Sequence, residues 1–219
     1  WNWGYVRNAA KISGPIALQA MLMSGAQVIS TMIVAPLGNI AIAANSFAIT
    51  VESLCYMPGY GIGDAASTLV GQTFGAGRKD LCKSFAHMTV GLGMTVMAFM
   101  GIIMYIFAPE MMSILSSVSS IQNLGVQCLR IEAFAEPFFA ASIVTYSVCV
   151  GAGDTIKPVL INLCTMWCIR LTMAYALASR YGLKGVWFAM ATELTARGIL
   201  FLIRLMRGKW LNRPAIKHV

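Results

Sequence analysis

A chain of 219 residues that is 58% hydrophobic and only 11% charged, with a mean hydropathy of +0.72, lies far from soluble domains, in which about 25% of residues are charged. Its apolar residues come in long runs rather than short periodic stripes, which excludes a water-soluble domain and predicts an all-α, polytopic membrane protein. The net charge of +8 does not call for a nucleic-acid partner, because the basic residues gather at the ends of apolar runs, where loop topology accounts for them.

The chain opens on Trp1-Asn2-Trp3-Gly4-Tyr5, without the basic region, short apolar core and small-residue cleavage site of a signal peptide. An aromatic interfacial belt within a longer chain is the expectation there. Six spans follow, over 12–36, 40–74, 81–108, 121–150, 157–179 and 184–207, and then a basic tail over 208–219 that frays on the cytoplasmic surface. Each span exceeds the ~20 residues a helix needs to cross ~30 Å of hydrocarbon. The second carries Glu52, then loosens at Pro58, Gly59, Gly61 and Gly63 before Asp64, which is read as a cap for the resumed helix. Such a break at membrane depth is tolerated only where protein or water satisfies the backbone. Between spans three and four, 109–120 reads either as a short external interfacial helix and turn or as an ordinary loop.

Threading six spans places Arg7, Lys11, Arg78, Lys79, Lys83, Lys157, Arg204, Arg207, Lys209, Arg213 and Lys217 on one side, against Arg180 and Lys184 on the other. That asymmetry predicts a multi-pass protein of the plasma (inner) membrane with both termini cytoplasmic.

At ~1.5 Å per residue, Glu52 on span two and Glu132 and Glu136 on span four lie roughly 16–22 Å along their helices, near mid-bilayer. Arg170 on span five and Glu193 and Arg197 on span six fall in the same slab. Lipid exposure would cost a few kcal/mol for each, so all six are expected to face inward. Glu193 and Arg197, at i,i+4 with the acid first, form a structural pair, and Arg170 is an auxiliary cation that pins span five to an acid. Arg130 is able to snorkel outward. Glu132 and Glu136 are like charges on one face that cannot both ionise cheaply, which suits a group that takes up and releases a proton. Pro137 is expected to kink the helix between them by clashing with the turn at Ala133. Gln19, Gln27 and Asn45 offer hydrogen bonds across helices, either to a ligand or as packing glue.

Other chemistry finds no support in the spacing. The six cysteines show no CxxC pair and no neighbouring histidine, and read as small buried apolar residues. Gly151-Ala152-Gly153-Asp154-Thr155 lacks the Lys-Ser/Thr of a phosphate-binding loop and reads as a tight cytoplasmic turn. His87 and His218 have no ligand partners at useful spacing. No metal site, cofactor or enzymatic nucleophile is expected.

Several stretches then resemble one family in order and spacing. They are Gly14-Pro15-Ile16-Ala17-Leu18-Gln19, Leu37-Gly38 with Ala41-Ile42-Ala43-Ala44, Gly71-Gln72-Thr73-Phe74-Gly75-Ala76-Gly77, Gly151 to Thr155 with Pro158 and Asn162, and Gly182-Leu183-Lys184-Gly185-Val186-Trp187. The chain looks like one six-helix lobe, 1–219, of a multidrug and toxic compound extrusion (MATE) transporter, and its basic end resembles the C-terminal lobe. The resemblance implies a twelve-helix secondary active exporter that exchanges H⁺ or Na⁺ for drugs or small organic cations. It also implies a second lobe, either the N-terminal half of the same chain or a second copy. The family's coupling acids in this lobe sit on the first or fourth helix. The first span here has only Gln19 and Gln27, so coupling is expected from Glu52, Glu132 and Glu136. Two alternatives stand beside this one: a lipid-linked oligosaccharide flippase of the same superfamily, and a membrane subunit without transport.

Overall fold

The computed structural model describes residues 3–212, with side chains from 13 to 211. Trp1, the tail residues Arg213, Pro214, Lys217 and His218, and the side chains of Arg7 and Lys11 lie outside that description. Apolar helix formers run almost unbroken through the chain, and among the described residues every regular element is helical. Helix α1 (Trp3–Val34) passes through a 3₁₀ turn (Ala35–Leu37) into α2 (Asn39–Gly75), followed by α3 (Lys79–Leu115). The fourth span is a pair, α4 (Ser119–Glu132) and α5 (Glu136–Gly151). Span five consists of α6 (Ile156–Cys164), a π-helical stretch (Thr165–Leu171) and α7 (Thr172–Tyr181), and α8 (Leu183–Arg207) ends the bundle. Five of these units are long and apolar enough to cross a membrane, and the bent α4–α5 pair makes a sixth.

Proline and glycine punctuate the chain differently than their sequence positions suggest. Pro137 does what its chemistry requires: α4 ends at Glu132, Ala133–Ala135 form a turn, and α5 restarts with Pro137 in its first turn, bent by 59° from α4. Pro58, by contrast, lies inside an α2 that continues without a break to Gly75. The glycines after it serve packing. A Cβ on Gly59 would strike Met97 Sδ, and one on Gly63 would come within 2.8 Å of Ser147 Oγ. The expected break in span two is therefore corrected, and Asp64, in mid-helix, caps nothing. The 109–120 expectation is corrected as well: α3 runs through Pro109 to Leu115, leaving a turn at 116–118.

Small residues bring α2, α3 and α5 into contact at the level of the backbone. A Cβ on Gly93 would sit 2.8 Å from Val144 Cγ2, and one on Gly101 would sit 2.8 Å from the Ala133 carbonyl oxygen and 3.2 Å from Glu136 Cβ. Gly101 thus lets α3 press against the turn that separates α4 from α5. Gly91, two positions from Gly93, faces open space. Gly101→Ala should destabilise the protein by ~1–3 kcal/mol through overpacking, whereas Gly91→Ala should be neutral or gain from better helix propensity. Paired thermal melts of the two variants in detergent check this. Equal midpoints would show that the α3–turn contact is slack.

The apolar core has two main centres. One joins Met104, Leu129, Trp187 and Leu194 with small residues of α2, and the other gathers Val70, Val90, Val144, Val148 and Trp210. Trp210 is fully buried in the 3₁₀ turn Lys209–Asn212, its Nε1 donating to the Leu205 carbonyl at 3.3 Å. The described part of the tail is therefore docked rather than frayed. Beside it, Arg204 of α8 donates to the buried Asp154 carboxylate and ties α8 to the α5–α6 turn. At the opposite end Gly182 adopts φ +60° between α7 and α8, a conformation that glycine reaches without Cβ strain. Helix α1 is the loosest element: it packs mainly on span five, through Ala26, Met166 and Leu171.

Candidate functional site

The bend between α4 and α5 is where the acids meet. Glu132 ends α4 and Glu136 begins α5, and both side chains are only 1% exposed. Glu52 comes from α2 and Glu193 from α8, also buried. Two cations join them: Arg197 of α8, and Arg170 from the π-helical stretch of span five. These six side chains form one electrostatically connected group. Arg170 interacts with Glu52, Glu132 and Glu193, and Glu52 with both Glu132 and Glu136. Five of the six are buried and Arg170 is half-buried with its Nε enclosed, so the group lies inside the bundle, where the cost of exposing charge to lipid directs it. Helices α2 and α3 are 37 residues each, ~55 Å long against ~30 Å of hydrocarbon, so both extend beyond it.

Pairing within the group is incomplete. Arg197 Nε lies 3.3 Å from Glu193 Oε1, the i,i+4 pair, and its guanidinium sits 5.6 Å from the Phe139 ring centroid. Arg170 reaches Met190 Sδ at 2.8 Å through Nη2, while its Nε is buried without a hydrogen-bond partner. Both carboxylate oxygens of Glu132 and of Glu136 are buried with no hydrogen-bond donor among the described residues. Four carboxyl groups face two guanidiniums. If every one were ionised, the cluster would carry an excess of two negative charges in a low-dielectric interior, a state that a bound proton or cation relieves. Tyr56 and Phe139 stack edge-to-face at 5.6 Å between ring centroids, as do Tyr56 and Tyr60, and form an aromatic wall beside Glu52.

The remaining predicted site residues separate from this group. Asn45 Oδ1 accepts a 3.0 Å hydrogen bond from Trp187 Nε1, the packing-glue role. Gln19 of α1 lies beside Tyr146 of α5, its Oε1 buried without a hydrogen-bond partner among the described residues. Gln27 faces outward on α1. Asp64 stands on the exposed face of α2 in line with Thr50, Gly61 and Thr68. Cys55, Cys82, Cys128 and Cys149 are buried as expected, but Cys164 and Cys168 are exposed. Sequence reasoning missed Met190, Tyr56, Tyr60 and Phe139, and also the π-helical widening that carries Arg170. Such widenings recur at functional sites, but nothing in Thr165-Met166-Trp167-Cys168-Ile169-Arg170-Leu171 announces one.

Comparison with known proteins now decides the lineage. A family profile described as MatE matches residues 15–176. The chain belongs to the MatE family. Among curated relatives, this MatE chain is 26% identical over 217 residues to the "Probable multidrug resistance protein NorM" of Thermotoga maritima, a match that covers 98% of this chain and 47% of the relative. It is 22% identical to the "Multidrug resistance protein MdtK" of Edwardsiella ictaluri, again over 97% of this chain and 47% of the relative. The chain spans about half the length of the curated relatives it matches. Its fold is that of half a MATE transporter: the structure of ClbM in complex with Rb⁺ superposes with a TM-score of 0.86 at 22% identity, covering 96% of this chain and 50% of that one. The bent form of the Vibrio cholerae transporter VcmN superposes with a TM-score of 0.85 at 16% identity, covering 91% of this chain and 45% of the other.

Proposed function

We propose that this MatE chain is one lobe, of the C-terminal type, of a secondary active efflux transporter that exchanges H⁺ or Na⁺ for drugs or organic cations. The observation that carries the proposal is the buried excess of carboxylate over guanidinium where α2, α4–α5, span five and α8 converge. Glu52, Glu132 and Glu136 supply the ion-binding groups. Arg170, Glu193 and Arg197 hold them in a dry interior. Coupling requires the ion and the drug to bind two orientations of the protein with different affinity.

One lobe cannot enclose a cavity, so a second six-helix unit completes the pathway. The exposed faces support the direction in which it lies. Helix α3 turns Met88, Leu92, Phe99 and Ile102 outward, an apolar surface suited to lipid. Helix α2 turns out Thr50, Gly61, Asp64 and Thr68 together with Leu54 and Met57. A carboxylate on a spanning helix is expensive in lipid, so this face looks onto water or the other lobe. In a cysteine-free background, Cys at 50, 64 or 68 should react with a membrane-impermeant thiol reagent at least tenfold faster than Cys at 99 or 102. Equal rates would remove the assignment of the α2 face.

The oligosaccharide flippase is less well supported, because Arg170 and Arg197 are already engaged by acids and Arg130 lies outside the cluster. The experiment is uphill ethidium efflux from energised vesicles that contain the protein at full natural length in the plasma (inner) membrane, both termini facing the cytoplasm. Efflux that follows an imposed pH or Na⁺ gradient, and stops when the gradient is collapsed, is the expected result. Efflux indifferent to both gradients would remove the exchange mechanism.

A further inference from the structure

We propose that the outer surface of this lobe carries a specific site for an anionic phospholipid, seated across α4 between α3 and α8. A groove of about 700 Å³ opens there, apart from the buried carboxylates, and is walled by Tyr105, Phe134, Phe188, Thr195 and Ile199 with Arg130 at one end. Phe134 is 73% exposed and Phe188 55%, so the groove is open along its length rather than a closed core cavity.

The two ends differ chemically. Arg130 lies over the Tyr105 ring at 5.2 Å from its centroid, and its Nε donates to the Tyr105 carbonyl at 3.4 Å. Among the described residues it forms no ion pair with a carboxylate. Lys184 stands one helical turn before Phe188 on the same exposed face of α8. Arg130 therefore gives one end of the groove a positive charge. The other end, toward Thr195 and Ile199, is apolar. Its threonines present methyl groups, since Thr192 and Thr195 donate their hydroxyls to the Phe188 and Ala191 carbonyls of their own helix at 2.8 Å.

A cationic head above an apolar trough is the complement of a negatively charged headgroup with an acyl chain beneath it. The level fits as well. Tyr105 lies ten residues before the end of α3, ~15 Å along its axis, and α3 exceeds the hydrocarbon thickness by ~25 Å in total. If that excess is shared between the two ends, Arg130 stands close to the hydrocarbon boundary, where phosphates reside.

The test uses the full-length protein extracted from mixed vesicles of phosphatidylglycerol and phosphatidylcholine, with retained lipid counted by native mass spectrometry. Wild type should retain phosphatidylglycerol at least tenfold over its share of the mixture. Arg130→Gln/Lys184→Gln should lose that preference, Arg130→Lys should keep most of it, and Thr195→Trp should lower retention of both lipids. A photoactivatable phosphatidylglycerol on the unaltered protein should label peptides that contain Phe134 and Phe188, a readout that does not depend on any variant folding. Equal retention of the two lipids, labelling elsewhere, or a groove found covered by a second copy of the chain would overturn the proposal.

Discussion

Glu132→Gln should abolish uphill ethidium efflux, with a loss of at least tenfold in gradient-driven rate, while downhill exchange of the dye persists. Glu132 sits where α4 ends, fully enclosed, with both oxygens lacking a hydrogen-bond donor and with Glu52 and Glu136 as like-charged neighbours. A carboxamide of the same shape keeps the packing but can neither release a proton nor neutralise a cation. The energetic link between ion and drug is then cut, because nothing remains that binds the ion differently in the two orientations. Glu136→Gln and Glu52→Gln should reduce coupling as well. The measurement is dye concentration against an imposed gradient in vesicles matched for protein content. Unchanged uphill efflux in all three variants would leave the family membership intact and eliminate the carboxylate cluster as the coupling site.

Arg170→Met should be the most destabilising single substitution in the bundle. The guanidinium is the shared counter-charge of Glu52, Glu132 and Glu193. Removing one partner from a buried ionic group typically costs ~3–5 kcal/mol, because the charges left behind have lost both water and their mate. At roughly 2–4 °C per kcal/mol for a chain of this size, the melting midpoint should fall by about 6–20 °C. Compensation separates this electrostatic account from simple loss of packing: Arg170→Met/Glu193→Gln, which removes one charge of each sign, should recover a large part of the drop. A double variant no more stable than the single would mean that Arg170 matters for its shape and its contact with Met190 instead.

These two positions also mark how far residue order alone carries. Spans were readable because long apolar runs admit few other structures, and the bend at Ala133–Ala135 was readable because proline lacks a backbone donor and clashes with the preceding turn. The meeting of Glu52, Glu132, Glu136, Arg170, Glu193 and Arg197 followed from the cost of exposing charge to lipid. Pro58 with its glycines was misread because proline and glycine in a row describe a break and a packing surface equally well. Only the neighbours decide: Met97 and Ser147 occupy the space that side chains at 59 and 63 would need. The Arg204–Asp154 contact bridges 50 residues, a separation at which no local period operates. The π-helical turn around Arg170 likewise depends on what surrounds it, and so does the environment of Asp64, which lies on the open side of α2.

The glycine contacts among α2, α3 and α5 carry a mechanical consequence. Where Gly101 meets the Ala133 carbonyl and Gly151 meets the backbone of Ser67, main chain rests on main chain, with no flexible side chain between to absorb a slide. These three helices are thus locked like meshed teeth and can only rock as a unit. The give in the lobe must come from the lightly held first helix and the widened middle of the fifth span, so any force that ion binding exerts on Arg170 is delivered to the segment best able to yield.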